Sequence, residues 1–161
     1  MAASRAATIR SAYLVVRSAD SAEAALGTEA GAHIVVAGRA SEGMASSLRA
    51  GLDRVAATAP ATGAAAIVML GDQPAIRDEV IGEVVRCWRA TNALAVRPRY
   101  ANEPDVPGHP VLIDRRLWPE VAKLKGDAGA GVALRHARVE LVDVPGSNPD
   151  IDTPADLAGF P

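Results

Sequence analysis

The sequence predicts an α/β domain in which helices cover both faces of a mostly parallel sheet. Three observations lead to this fold class. Short apolar runs alternate with helical periodicities, seven apolar residues follow one another from Ala64 to Leu70, and a strongly amphipathic segment comes next. Alternation of this kind is typical of βαβ units, and an unbroken apolar run suits a strand that is covered on both faces.

Length and composition fit one domain over residues 1–161. Hydrophobic residues make up 49% and charged residues 22%, which is typical of a globular chain. The formal net charge of -2 gives no electrostatic reason to expect nucleic acid or an anionic membrane as partner. Cys87 is the single cysteine, and Met1 to Arg10 lack the apolar run of a secretory signal. We therefore expect a soluble protein of the cytoplasm.

The first half of the chain predicts three strands and two helices. Ala12 to Val16 is a first strand, Ser21 to Ala30 a short Ala-rich helix and Ala32 to Ala37 a second strand. Leu48, Leu52 and Val55 are spaced four and three apart, so they give the next helix one apolar face. Gly71 ends the apolar run that forms the third strand.

The second half opens with the clearest helix. Its apolar residues fall at i, i+3, i+4 and i+7, and Asp78 lies near its start, where a carboxylate is favoured. The further predicted elements are strands at Ala93–Arg97, Val111–Ile113 and Val139–Val144, helices at Arg115–Leu124 and Ala128–His136, and a last short helix with Thr153 as N-cap and Pro154 at its first position.

Asp72 is the first candidate functional residue. It follows Gly71 at the end of the buried strand, and open α/β sheets bind ligands at the carboxyl edge. A carboxylate there could hold Mg²⁺, which prefers one or two carboxylates together with substrate phosphates. The alternative is that Gly71 and Asp72 only form a turn, and the spacing favours neither.

Asp150 and Asp152 are a second carboxylate source. They are two residues apart, so in an extended segment they project to the same side and could complete a metal site with Asp72. On their own, they are better explained as flanking the start of the last helix.

Three glycine-containing loops could contact a ligand. Gly43 permits close backbone approach, and the serines after it could cap the helix. His109 lies in a Pro-rich turn before a strand, and the glycines from Gly126 onward open a helix. Taken singly, each has an ordinary structural explanation. There is no nucleophile elbow, Cys-rich zinc spacing or Walker-type loop.

The order and separation of these motifs resemble those of the MobA-like NTP transferases, in particular the molybdenum-cofactor cytidylyltransferase branch. The resemblance covers about Tyr13 to Phe160. It is carried by five segments: Gly43–Leu48, Leu70–Pro74, Pro107–Pro110, Gly126–Ala130 and Asp150–Pro154.

The resemblance implies a Rossmann-like, three-layer sheet of the nucleotide-diphospho-sugar transferase type and an Mg²⁺-dependent transfer of CMP from CTP to a molybdopterin-type phosphate. A transferase that uses GTP or another phosphorylated acceptor stays open as an alternative. By motif position, Asp72 would be the principal catalytic metal ligand and Asp152, slightly ahead of Asp150, the second. The other implied roles are the base contact for Gly43, Met44 and Ser47, and the acceptor pocket for Gly108, His109, Pro110, Gly126 and Asp127. A molybdoenzyme or a second copy of the chain would be a protein partner.

The sequence departs from the family at its start. Family members open with a strand and a Gly-x-x-x-Arg-Met-Gly loop followed by a lysine, whereas this chain opens with Met1–Ala7 and passes almost directly to the family's second strand. A missing central strand predicts a gap in the sheet. Three explanations stay open: a start further upstream, a non-catalytic relative that binds a pterin or a partner, and a strand supplied by another segment or subunit.

Overall fold

Residues 9–38, 43–60 and 64–158 are described by a computed structural model. The N-terminal segment Met1–Ala7 lies outside the described residues. In chain order, the elements are β1 Tyr13–Val16, α1 Ala22–Glu29, β2 His33–Val36, α2 Met44–Thr58, β3 Ala65–Val68, α3 Asp78–Thr91, β4 Ala95–Tyr100, β5 Val111–Asp114, a 3-10 turn Arg115–Leu117, α4 Trp118–Val121, α5 Ala130–Ala133, β6 Val139–Val144 and α6 Pro154–Ala158.

The strands form two sheets. β1 and β2 pair in parallel, and the other four strands are ordered β3-β5-β4-β6. β4 and β6 are parallel, whereas β5 runs antiparallel to both β3 and β4. The α/β class is confirmed, but the pairing is mixed. β5 reverses direction because residues 101–110 contain no helix, and a parallel return needs a longer crossover.

A break separates β1 from β3, in agreement with the predicted gap. Within the described ranges, β1 pairs only with β2 and β3 only with β5. α2 nevertheless covers both sheets. Its Gly51 lies close to the Val15 side chain, and its Leu52 belongs to the same apolar cluster as Ala66 of β3. The two sheets therefore share one helix layer without sharing a hydrogen-bond ladder.

The core lies under the central strands of the larger sheet. Val96, Leu112 and Ile113 are almost fully buried, with Val84 of α3 packed nearby. The predicted complete burial of Ala64 to Leu70 was wrong: Ile67 and Val68 are only partly buried, and the strand stops at Val68. β3 is an edge strand of its sheet, which leaves its side chains less covered than those of β4 and β5.

The amphipathic helix α3 is confirmed, with Ile81, Val84 and Val85 buried and Asp78 as its first residue. The two helices predicted for Arg115–Leu124 and Ala128–His136 are much shorter. Pro119 lies in the first turn of α4, where its missing backbone donor is tolerated, and α4 ends at Val121 after a single turn. No helix among the described residues has the length and apolar character needed to cross a membrane.

Candidate active site at the carboxyl edge

Asp72 and Asp150 meet at the carboxyl edge of the larger sheet. Asp72 follows β3, and Asp150 lies in the segment after β6. Strands β3, β4 and β6 run in the same direction, so their carboxyl ends share this edge. The backbone N–H of Ile151 donates to the Asp72 carbonyl at 2.8 Å, which fixes the two segments side by side.

Two side-chain amides connect this pair to the neighbouring turn. Gln73 Nε2 donates to Asp150 Oδ1 at 2.6 Å, and Asn148 Nδ2 donates to Gln73 Oε1 at 3.0 Å. Asn148 Nδ2 also lies 3.5 Å from the His109 carbonyl oxygen. Asn148 is buried, with 5% of its surface exposed. The site therefore has an inner layer of uncharged polar side chains behind its carboxylates.

The His109 turn is held by β4. Tyr100 Oη donates to the His109 carbonyl at 2.8 Å, while the Arg97 guanidinium donates to the carbonyls of Pro107 and Gly108. Gly108 fits here because an added Cβ would lie 2.7 Å from the Tyr100 ring. The main chain of the turn is thus bonded on several sides.

His109 lies in a mixed electrostatic environment. Burial lowers the pKa of His109 below its ordinary value, and the charge of Arg97 lowers it further. The negative charges of Asp150 and Asp72 act in the opposite direction but do not outweigh these effects. The imidazole is therefore held towards its neutral form, in which one nitrogen donates a hydrogen bond and the other accepts one.

A second group of predicted residues meets at the start of α2. Gly43 has a φ of 90°, and a Cβ there would lie 2.5 Å from the Gly126 backbone and 2.6 Å from the Asp127 carboxylate. The Ala45 N–H donates to the Gly126 carbonyl at 3.0 Å. Met44 Sδ lies close to Gly129, where an added Cβ would be only 2.9 Å from it.

The contact between Gly43 and Gly126 joins two segments to which the resemblance assigns different roles. Gly126 and Asp127, expected beside His109, lie against the segment expected to contact the base. Within the described ranges, no hydrogen bond joins them to the His109 turn. The expected serine cap of α2 was wrong, because Gly43 is its N-cap residue and no side chain caps it. Ser47 lies in the first turns of α2 and is partly buried.

Asp152 lies away from the amide pair. It is exposed, and its backbone N–H donates to Asp156 Oδ2 at 3.2 Å. Asp156 in turn takes the Thr153 N–H at 2.8 Å, and Thr153 Oγ1 accepts from the Asp156 N–H at 3.3 Å. The predicted N-cap role of Thr153 is confirmed, and Asp152 belongs to this capping arrangement.

The described carboxylates do not by themselves complete a metal site. Among the described residues, no group of three or more His, Cys, Asp or Glu is placed to hold a metal ion. Asp72, Asp150 and Asp152 therefore do not form a ready three-ligand site. Two adjacent carboxylates suit Mg²⁺, which keeps several waters and takes its other ligands from substrate phosphates.

Sequence reasoning missed Gln73, Asn148 and Arg97. Gln73 is the neighbour of Asp72, but nothing in the pattern marks it as a bridge to Asp150. Asn148 lies 75 residues from Gln73, in a loop where asparagine is common for local reasons. Arg97 occupies a strand position whose surroundings only the fold reveals.

Carboxylates on neighbouring segments, a half-buried histidine and glycine-containing loops at the carboxyl edge of an α/β sheet are compatible with a protein of the nucleotidyltransferase class. The comparisons agree. The model of the MobA-like NTP transferase domain matches residues 1–143. The chain belongs to this family. No curated protein matches the sequence significantly.

Solved structures give the same fold. Rv0371c from Mycobacterium tuberculosis H37Rv is 28% identical with a TM-score of 0.78, over 98% of this chain and 78% of that one. Its complex with manganese is 26% identical with a TM-score of 0.76, over 98% and 80%.

Two more distant structures share the fold alone. Molybdopterin-guanine dinucleotide biosynthesis protein A from Archaeoglobus fulgidus has a TM-score of 0.62 at 18% identity, over 91% of this chain and 75% of that one. The 4-diphosphocytidyl-2C-methyl-D-erythritol synthase from Anaerococcus prevotii DSM 20548 has a TM-score of 0.74 at 16% identity, over 98% and 80%. The sheet and its helices are therefore arranged as in these two proteins.

Proposed function

We propose that the chain transfers CMP from CTP to the terminal phosphate of a molybdopterin-type acceptor and releases diphosphate. The observation that carries this proposal is the meeting of Asp72 and Asp150 beside His109 at the carboxyl edge. The motif series supports the cytidylyl branch, and the distant cytidyl-named neighbour has the same fold. GTP is the competing donor, because the name of the Archaeoglobus fulgidus neighbour contains molybdopterin-guanine dinucleotide.

The reaction needs positioning and charge neutralisation more than a covalent nucleophile. An oxygen of the acceptor phosphate attacks the α-phosphorus of the nucleotide, and the bond from that phosphorus to the oxygen bridging the β-phosphorus breaks. The electron pair leaves with diphosphate. No proton has to be removed from the attacking oxygen, because a phosphate monoester is already anionic near neutral pH.

Asp72 and Asp150 are the residues that would hold Mg²⁺, which supplies charge neutralisation at the triphosphate. We favour Asp150 over Asp152 because Gln73 ties it to the Asp72 segment. A divalent cation is consistent with the manganese complex of Rv0371c.

The neutral His109 would donate a hydrogen bond to the acceptor, with Gly108 and Pro110 shaping that side of the pocket. Gly43, Met44 and Ser47 would lie against the base. Gly126 and Asp127 would border the same base-side segment, since they contact Gly43.

Calorimetry of CTP and GTP binding with Mg²⁺, followed by a diphosphate-release assay, tests this function. We expect selective binding of CTP and release of diphosphate with a molybdopterin-type acceptor. Asp72→Ala should reduce turnover at least 100-fold, a loss of about 3 kcal/mol or more in transition-state stabilisation, because it removes a carboxylate that would hold Mg²⁺ at the triphosphate. Asp53→Ala, an exposed carboxylate on α2, is the matched control. Unchanged turnover in Asp72→Ala would exclude the metal role.

The second candidate is a non-catalytic module that binds a pterin or a protein partner. The separation of the two sheets among the described residues favours it, since a strand edge left unpaired there is a site for pairing with another chain or a second copy. It predicts pterin or partner binding without Mg²⁺-dependent diphosphate release. In either case the free thiol of Cys87 suits the reducing cytoplasm.

A further inference from the structure

The side-chain amides of Gln73 and Asn148 form a series of hydrogen bonds in which donors and acceptors can be assigned in only one way. One end of the series is the Asp150 carboxylate, which can only accept hydrogen bonds when ionised. Gln73 must therefore present its NH₂ group to Asp150 and its carbonyl oxygen to Asn148. Asn148 must then present its NH₂ group to Gln73, and the same group faces the His109 carbonyl, another acceptor.

This direction leaves one polar atom without a partner. Asn148 Oδ1 is buried and has no hydrogen-bond partner within the part of the chain that the structure describes. Turning the amide over would place Oδ1 against two other acceptors and lose both donor contacts. Asn148 Oδ1 therefore stays without a partner because the Asp150 carboxylate fixes the direction of the hydrogen bonds that run through Gln73 to Asn148.

We propose that Gln73 and Asn148 are positioning residues that orient the Asp150 carboxylate beside Asp72, an inference that rests on the proposed function. Gln73 donates to Asp150 Oδ1, which sets the orientation of the carboxylate and leaves Oδ2 without that hydrogen bond. Asn148 fixes Gln73 from behind and also contacts the His109 turn. The hydrogen-bonded series Asp150–Gln73–Asn148, called the relay below, thus connects the proposed cation side of the site to its acceptor side without adding charge.

Side-chain amide signals in nuclear magnetic resonance spectra of the metal-free protein test the relay directly. We expect Asp150→Ala to shift the NH₂ signals of Asn148 as well as Gln73, although Asn148 does not touch Asp150. Asp105→Ala, an exposed aspartate in the loop after β4, is the control and should leave the Asn148 signals in place. Asn148 signals that ignore Asp150→Ala would overturn the relay.

Manganese binding, measured by electron paramagnetic resonance, tests whether the relay orients Asp150 for a cation. Gln73→Leu and Asn148→Ala should each weaken Mn²⁺ binding about tenfold, as is usual when a partner that orients a ligand is lost. Their double variant should bind no more weakly than Gln73→Leu, because both act through one chain. Asn102→Ala, in an exposed turn, is the control.

The two measurements separate this inference from the proposed function. Additive losses in the double variant, or wild-type affinity in the single variants, would contradict the positioning role. A wild-type protein that binds no Mn²⁺ would instead contradict the proposed metal site and, with it, the purpose assigned to the relay. The amide spectra would then still decide whether the hydrogen-bond chain exists.

Discussion

β1 and β2 of the small sheet are about as apolar as β5 of the larger sheet, but the strands are covered very differently. In β1 and β2 only Val16 is buried, whereas every residue of β5 is buried. In β4, buried residues outnumber partly buried ones. β5 has strands on both sides and α3 packed nearby, while β1 pairs along one edge in the part of the chain that the structure describes. Apolar composition alone therefore does not make a core strand; the number of neighbours decides how much of each side chain leaves water.

The largest contrast should come from matched truncations in the two sheets. Ile113→Ala in β5 should lower the free energy of unfolding by about 4 kcal/mol, because it leaves a cavity at a fully buried site. Ile34→Ala in β2 should cost only about 1–2 kcal/mol, because that side chain is partly exposed. Denaturant unfolding of both variants gives the comparison, and equal losses would contradict it.

Gly43→Ala tests the link between the regions at the start of α2. The positive φ and the overlap with the Gly126 backbone should together cost about 3 kcal/mol. Gly131→Ala is the control, because a Cβ there meets no atom within 4 Å and alanine favours the helix. Thermal unfolding measures both. A tolerated Gly43→Ala would mean that the Gly43–Gly126 contact is loose.

Trp88→Phe tests an acid-sensitive anchor of the larger sheet. Trp88 Nε1 donates to Asp114 Oδ2 at 2.9 Å. Burial raises the pKa of Asp114, but hydrogen bonds from Arg116 and Trp88 outweigh it and leave this pKa below its usual value. The lowered pKa means that ionised Asp114 stabilises the folded state. This contribution is fully present above the pKa that Asp114 has in the unfolded chain, and it is lost as the pH falls through the pKa of the folded state.

Removing the indole should therefore cost about 1–2 kcal/mol at pH 7 and less at about pH 3. Trp118→Phe is the matched control, because its Nε1 donates to the Ile113 carbonyl at 3.2 Å, which does not titrate. Urea unfolding at the two pH values separates them. The same pH dependence in both variants would refute the role of Asp114.

The smallest effect is expected where the small sheet meets α2. Tyr13 Oη and Thr58 Oγ1 are 2.6 Å apart, so Thr58→Val should cost about 0.5–1 kcal/mol and speed amide exchange in β1. Thr91→Val is the control, because Thr91 also ends a helix but bonds only the Cys87 carbonyl. Exchange that rises equally in both variants would argue against a specific tie.

Local patterns predicted the elements well and their partners poorly. The spacing of Ile81, Val84 and Val85 gives α3, because amphipathic periodicity is a property of the segment itself. The antiparallel course of β5 depends on which strands become its neighbours, and no local pattern records that choice. Likewise, Asp72 is marked by its place after a strand, whereas Asn148 is marked only by a partner 75 residues away.

The break between β1 and β3 also has a mechanical consequence. Within a sheet, sliding one strand along the next breaks a row of directional bonds, so paired strands resist shear strongly. Across the break, in the described ranges, the resistance comes from side chains of α2 such as Leu52 that pack against the sheets, and dispersion contacts yield gradually. Among the described residues, α2 is therefore an element through which a movement of one sheet would reach the other.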